Sequence, residues 1–400
     1  MVKASRSYML QTSVAILTGG GDPHYASDLT DALLANHISV DLIGSDSFPQ
    51  DRLSKSPNLK FLNLRGDTNA KASNLEKLLR IYRYYIKLIV YSISTNKKVF
   101  HILWNNRFEH IDRTILMFLY RVLGKQVTLT AHNINAGERD GNDSTLNRLT
   151  LGIQYKLSKI IFVHTEKMAD ELESKFGIAK EKIKLIPYGS NQSIPRSNLD
   201  KCGARERLGI APGDKAILFF GNIAPYKGLI HLVEAFIRLK PKEGRFKLII
   251  AGRIKCDDSY WSSIQSLISD YDIEGRVLQR TEFIPDHEIE IYCKAADVMI
   301  LPYTHIFQSG ILVLGYSFGL PIIVSDVGSL KNEVIEGKTG YVFKPEDSGD
   351  LALKLTAFFE SEVYSNHEST RRHIEKITSS QHSWKEAGAI TAKSYRSLVS

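Results

Sequence analysis

The chain has 400 residues, 43% of them hydrophobic, which is ample for a sizeable core, and its length predicts two domains. Cys202, Cys256 and Cys293 are scattered and form no CxxC pair, which argues against a disulfide or zinc framework and for a reducing compartment. The net charge of +8 lies in the first half: residues 1–190 hold 26 Lys and Arg against 18 Asp and Glu, while residues 191–400 hold 26 of each. Such a half favours an anionic partner (a membrane surface, a phospholipid-linked acceptor or nucleic acid) over the plain alternative of a soluble basic face.

Residues 1–11 are polar and basic, with no apolar core of signal-peptide length. No stretch approaches the roughly 18 to 20 apolar residues of a membrane span. A cytoplasmic place is expected, extended to a peripheral position on the inner face of the cell membrane. Short β-rich runs at 14–18, 40–44, 59–64, 99–103, 127–131, 160–164 and 183–187 alternate with helical spacing, as at 74–93 and 112–123. That alternation predicts parallel sheet covered by helices. The first run enters Thr18-Gly19-Gly20-Gly21-Asp22-Pro23, whose glycines let the backbone turn and approach a ligand; a plain tight turn has the same signature. It is not the GxGxxG fingerprint, and Asp41 lies within the second run.

Residues 77–91 mix Leu, Ile and Tyr with Lys77, Arg80, Arg83 and Lys87. They read as a helix covering the sheet or, alternatively, as a surface resting on lipid headgroups. No RNA- or DNA-binding signature accompanies the charge, so nucleic acid is not an expected partner. His132 follows the run 127–131 and opens a polar stretch holding Asn133, Glu138, Arg139, Asp140 and Asp143. Its place at a strand end favours a ligand cleft over the alternative of an ordinary core histidine. No HxH, HExxH or DxD spacing occurs, so no catalytic metal is expected.

Residues 187–195 are rich in turn formers and read as a linker. The pattern restarts at 216–221, 247–252, 277–283, 298–301, 322–325 and 340–343 and closes with a helical segment at 383–398. The expected fold is α/β, two Rossmann-like, doubly wound parallel-sheet domains facing across a cleft. Their bounds are 1–188 and 189–380, with a terminal helix at 381–400 crossing back to the first. In the second, the strand Phe219-Phe220-Gly221 runs into Asn222, and Lys227-Gly228 stands where a helix begins. About eighty residues later Pro302-Tyr303 ends a strand and Gln308-Ser309-Gly310-Ile311-Leu312 opens another helix. A surface lysine and an ordinary N-cap serine are the plain alternatives. Both turns nonetheless offer backbone N–H groups at a helix N-terminus, where phosphate is held. One ligand with two phosphates could touch both, which points to a nucleotide sugar.

On these residues the second half resembles the donor domain of the GT-B glycosyltransferases, in particular the retaining family 4 (group 1). The similar stretches are 219–228, 248–253, 283–285, 295–302, 309–328 and 337–343. The first half is similar more loosely, through 129–133 and 186–189, and before residue 95 only the glycine turn matches. The resemblance implies a metal-independent, hexosyltransferase-like transferase. It would move a sugar from a nucleotide sugar to a hydroxyl acceptor with retention, in surface polysaccharide or glycolipid biosynthesis. It implies catalytic roles for His132, beside the sugar, and Lys227, which neutralises the donor diphosphate. Ser309, Gly310, Ile311 and Leu312 would supply N–H groups to that diphosphate, Phe283 and Ile284 would frame the base, and Gly20 and Gly21 would close over the sugar. Asn222, Arg253 and Tyr303 complete the implied donor side, and Asn133 and Glu138 the acceptor side. No cofactor is implied beyond the co-substrate, a UDP- or GDP-linked sugar. The implied partners are that donor and a glycan or lipid-linked acceptor, and the charge distribution adds an expected peripheral membrane contact through the basic half.

The sequence also departs from the family's pattern. The common pair of glutamates falls on Phe307 and Gly315, and the arginine often found ahead of the lysine is Asn222, with Arg253 as a partial substitute. A charge-assisted hydrogen bond is worth roughly 1.5–3 kcal/mol, about 10- to 150-fold in binding. A variant enzyme is therefore the expectation. Two other readings stand beside it: a non-catalytic partner subunit that kept the fold, and a sugar-nucleotide epimerase.

Overall fold

The structure is a computed structural model that describes residues 12–46, 48, 53–67, 69, 72–190, 194–239 and 245–399. The basic start, 1–11, and the middle of the expected linker, 191–193, lie outside the described residues. The chain divides into two compact units, Met1–Gly189 with Ser383–Ser400, and Ser190–His382.

In the first unit β1 (Ser13–Leu17), β2 (Ser39–Gly44), β3 (Leu59–Asn63), β4 (Val99–Ile102), β5 (Gln126–Thr130), β6 (Ile160–Val163) and β7 (Ile183–Leu185) form one sheet in the order β3-β2-β1-β4-β5-β6-β7. Every pairing is parallel. Helices cover both faces of such a sheet, which is why Val14 to Ile16 and Ile161 to Val163 are buried without alternation. Pro23 opens the helix Pro23–Ala35, and the Asp22 carboxylate caps it by accepting from the His24 and Tyr25 N–H groups. The terminal helix Trp384–Val399 packs on it at Gly388, where a Cβ would lie 2.7 Å from that of Ala32. Tyr395 of that helix hydrogen-bonds His101 in β4.

The second unit repeats the plan with β8 (Lys215–Phe220), β9 (Phe246–Ala251), β10 (Val277–Arg280), β11 (Val298–Leu301), β12 (Ile322–Ser325) and β13 (Gly340–Phe343), ordered β10-β9-β8-β11-β12-β13. Its core gathers Ile217, Phe219, Phe236, Ile250, Ile300 and Phe343. Asp297, just before β11, is fully buried and pairs with Lys201 and Arg205, each at 2.7 Å. It also accepts the Ala216 N–H at 2.8 Å, fastening the start of β8 to that of β11. In both sheets the strand order reverses beside the first strand, at β1/β4 and at β8/β11. A crevice opens outside the strand ends at such a reversal.

The helix expected at 112–123 differs from expectation: it begins at Glu109 and contains a π-helical stretch, Asp112–Leu116, before Met117–Val122. The buried Asp112 carboxylate accepts from Tyr85, the Asn106 backbone and the Asn106 amide, contacts that hold the widened turn in place.

Candidate functional site

Lys227 ends a short 3₁₀ turn, Pro225–Lys227, between β8 and the helix Leu229–Arg238. Gly228 follows with φ of +63°, and a Cβ there would lie 1.9 Å from the Pro302 carbonyl oxygen. Only glycine lets this turn press on the segment that follows β11. Across the same seam the Thr304 N–H donates to the Tyr226 carbonyl at 2.8 Å. Lys227, only 8% exposed, is thereby laid over Tyr303: its Nζ is 5.0 Å from the ring centroid and donates to the hydroxyl at 3.3 Å. Ser309 Oγ donates to that hydroxyl at 3.4 Å. Burial pushes the Tyr303 phenol well up, against the opposing hydrogen bond from Ser309, so it stays neutral at physiological pH.

Lys227, Tyr303 and Ser309 thus meet outside the C-terminal ends of β8 and β11, where the order reverses. The helix Gly310–Ser317 starts at the same place. Ser309 does not cap it with its side chain, which is turned to Tyr303. The Leu312 N–H donates to the Ser309 carbonyl at 3.1 Å, so Gly310 and Ile311 carry the first-turn N–H groups without an intrahelical acceptor. Gly221 lets the backbone come close, since a Cβ there would lie 3.3 Å from both Lys227 Nζ and Ile311 Cδ1.

The other residues expected on the donor side stand at neighbouring strand ends. Arg253 follows Gly252, whose Cβ would lie 2.0 Å from the Gly221 carbonyl oxygen, and the Arg253 carbonyl accepts the Ile223 N–H at 2.8 Å. The Asn222 and Arg253 side chains are exposed, and Arg253 has no ion-pair partner among the described residues. Phe283 and Ile284 part company: Phe283 is 70% exposed, whereas Ile284 is buried. Gln308, which opens the motif but was assigned no role from the sequence, holds a buried Oε1 with no partner among the described residues.

In the first unit His132 follows β5 and stacks on Trp104, with ring centroids 4.3 Å apart and planes at 4°. Tyr25 meets its ring edge-on at 4.7 Å, and His164 lies 5.4 Å away. Burial, then the nearby His164 and His101, hold His132 well below the usual histidine range. The imidazole is therefore neutral at physiological pH, and its Nε2 has no partner among the described residues. A neutral ring with one open nitrogen can orient a hydroxyl but supplies no charge. The glycine turn packs on the same tryptophan. A Cβ on Gly21 would lie 2.0 Å from the indole, and one on Gly19 would lie 2.1 Å from the Trp104 carbonyl oxygen. A Cβ on Gly20 would lie 2.0 Å from an Arg65 nitrogen. Trp104 thus packs against Gly19 and Gly21, while the atoms facing Gly20 are the end of the flexible Arg65 side chain.

The pair expected on the acceptor side, Asn133 and Glu138, is split. Asn133 is half-buried, and its carbonyl accepts from Tyr155 at 3.5 Å. Glu138 sits on the short helix Ala136–Arg139, pairs with Lys175 at 3.1 Å, and lines a cavity of about 540 Å³ with Asn135, Arg148 and Lys156. Tyr25, Trp104 and His164 were also missed from the sequence. Trp104 did carry a signal, an aromatic residue directly behind a predicted strand end. Among the described residues no group of three or more His, Cys, Asp or Glu is placed to hold a metal, and no helix is long and apolar enough to cross a membrane.

Residues 201–379 match the family described as glycosyl transferases group 1. A D-inositol 3-phosphate glycosyltransferase of Nocardia farcinica is 27% identical over 198 residues, covering 48% of this chain and 43% of that protein. The match spans about half the length of such curated relatives. Among solved structures, a sucrose-phosphate synthase from Thermosynechococcus elongatus aligns with a TM-score of 0.77 at 18% identity, over 97% of this chain and 99% of its own. HepE of Anabaena, in complex with UDP and glucose, aligns with a TM-score of 0.74 at 17% identity, over 96% and 100%. Residues 201–379 are thus similar to the group 1 glycosyl transferases, and the two parallel-sheet units have the fold of such GT-B structures.

Proposed function

We propose that the protein is a metal-independent, retaining glycosyltransferase that moves a sugar from a nucleoside diphosphate to a hydroxyl acceptor. The observation that carries this is the meeting of Lys227, Tyr303, Ser309 and the first turn of the helix Gly310–Ser317 at one strand reversal. Negative charge grows on the departing diphosphate in the transition state. An amine and N–H groups fixed there beforehand stabilise it without reorganising. In this mechanism Lys227 and the helix N-terminus do the work a divalent cation would otherwise do. Phe283 frames the base, and Arg253 adds a second positive group. His132, kept neutral by burial, orients a sugar hydroxyl. The acceptor attacks from the face the diphosphate leaves, and a diphosphate oxygen takes its proton, so no protein nucleophile is required.

HepE was solved with UDP and glucose, which makes UDP-glucose the first probe, with GDP-sugars beside it. The acceptor side of the proposal is a hydroxyl of a glycan or lipid-linked glycan in surface polysaccharide or glycolipid synthesis. The relatives named as D-inositol 3-phosphate glycosyltransferases add a polyol phosphate to the acceptor panel. A cytoplasmic place with contact at the inner membrane face completes the proposal.

The test is release of nucleoside diphosphate from a donor panel, with and without acceptors and with EDTA, followed by the anomeric configuration of the product. Release that needs acceptor, survives EDTA and retains configuration supports the proposal. Phe307 and Gly315, standing where the resembled family carries carboxylates, favour the second reading, a non-catalytic partner. That reading prevails if donors bind and no acceptor ever turns them over.

A further inference from the structure

A helix that merely covers a sheet needs one apolar stripe, and the helix Asn74–Ser94 has two. Tyr84, Leu88 and Ser92 face inward and are buried, and beside them the Tyr85 hydroxyl donates to Asp112 at 2.9 Å. Leu75, Leu79, Tyr82, Ile86, Val90 and Ile93 follow one another at three- and four-residue spacing on the far side, and all six are exposed. The neighbouring run does the same: Leu116, Met117 and Tyr120 fill the core, while Ile111, Ile115, Phe118 and Val122 are exposed, Val122 to 83%. Of the nineteen exposed large apolar side chains among the described residues, twelve lie between Leu75 and Val122.

The charge lies in the same stretch. Residues 74–125 hold ten Lys and Arg against three Asp and Glu, a net of +7 out of the chain's +8. Arg83 and Lys87 stand exposed beside the outer stripe. Next to it opens a cavity of about 540 Å³ lined by Arg65, Lys77, Leu78, Arg107 and Phe108, cations and apolar groups side by side.

Exposed apolar side chains in this number, with Leu78 and Phe108 lining one cavity, mark an interaction surface. A second copy docked on it would bring the basic flank against its own image, like charge on like. An anionic bilayer suits both halves of the pattern. The apolar stripe enters the acyl boundary, while Lys and Arg keep their ends among the headgroups. Because the stripe runs the length of the helix, the axis would lie in the plane of the interface.

We infer that the outer face of the helix Asn74–Ser94, together with the run from Ile111 to Val122, rests on an anionic membrane surface. This deepens the proposed function, on which it rests only for the acceptor's being delivered at that surface. The full chain is floated with vesicles of phosphatidylcholine alone and with vesicles about one third phosphatidylglycerol. The protein should rise with the anionic vesicles, stay behind with the neutral ones, and be released as salt rises. Tyr82→Glu with Val90→Glu changes two well-exposed side chains. It should leave the melting temperature and UDP affinity unchanged while lowering vesicle partitioning by about tenfold or more.

UDP titration on the same samples separates the two proposals. Vesicle binding without UDP binding sinks only the enzyme reading, and UDP binding without vesicle binding sinks only this surface. Equal partitioning of the variant and the parent protein also overturns it. So does a dimer in sedimentation that the double variant dissolves, which would give the face to a second copy.

Discussion

Replacing Lys227 with methionine removes the amine and keeps most of the aliphatic stem over Tyr303. The cost to the fold is moderate. The cation–π contact at 5.0 Å contributes about 2 kcal/mol in so desolvated a place, offset in part by the cost of burying the amine, and the Tyr303 hydroxyl retains Ser309 Oγ at 3.4 Å. The cost to diphosphate binding is larger, because a charge-assisted hydrogen bond in a site this buried is worth roughly 1.5–3 kcal/mol. UDP affinity should therefore fall about 10- to 150-fold for each such bond, while the unfolding free energy changes by about 2 kcal/mol or less. Calorimetric titration with UDP and with uridine isolates the phosphate term, since uridine should bind the variant and the parent protein alike. The reasoning fails if UDP affinity is unchanged. It fails equally if UDP and uridine lose the same factor, because the loss would then belong to packing and not to charge.

Gly228→Ala should both destabilise and disarm. A residue with φ of +63° and a Cβ 1.9 Å from the Pro302 oxygen cannot stay in place, so the urea midpoint should drop by the equivalent of about 1–3 kcal/mol and UDP affinity with it; an unmoved midpoint would contradict the seam. Stability should also fall with acid below neutrality. Burial lowers His164 from 6.5 to about 4, so the unfolded chain takes up a proton that the native one refuses. That stability is present above about pH 6.5 and is lost progressively toward pH 4, by about 3 kcal/mol for this group. Urea unfolding at pH 7 and pH 5 measures the slope, which His164→Gln should flatten.

Strand positions were legible because parallel strands buried on both faces are apolar runs with few other readings. Their ends were less so. The run expected to 221 stops at Phe220, because Gly221 turns out of the strand with φ of +105°. A glycine after an apolar run fits a last strand residue and a first turn residue equally well. Lys227 was readable because strand, glycine turn and cation adjoin in sequence. The stack of His132 on Trp104 was not, since it joins the ends of β4 and β5 and depends on their pairing. The glycine turn has a packing reason that the sequence could not show, since Gly19 and Gly21 lie against Trp104. Local pattern locates a backbone, but it does not say which distant side chain will lie against it.

Phe307 and Gly315, where the resembled family carries carboxylates, can be weighed against that packing. Gly315 lies in the helix Gly310–Ser317, and a Cβ there would meet Ile322 Cδ1 at 2.9 Å and Met299 Sδ at 3.0 Å. Phe307 is buried, and its carbonyl accepts from the Ser329 N–H at 3.0 Å and hydroxyl at 2.6 Å. Restoring a glutamate at 315 therefore means forcing an acid between two side chains of adjoining strands. Overpacking of this kind costs about 1–3 kcal/mol before the charge is counted. Gly315→Glu should lower the melting temperature and yield no gain in turnover on any donor; a variant as stable as its parent and more active would show that the pocket can open there. Apart from Lys227, the polar atoms at Tyr303 are neutral ones, its own hydroxyl and Ser309 Oγ. Sugar hydroxyls would then be held by neutral bonds of about 0.5–1.5 kcal/mol in place of charge-assisted ones. Diphosphate recognition, resting on Lys227, would remain strong. The affinity of a nucleotide sugar should accordingly exceed that of its nucleoside diphosphate by little, about tenfold at most for one such bond. A far larger ratio would mean that a carboxylate from elsewhere in the chain reaches the sugar.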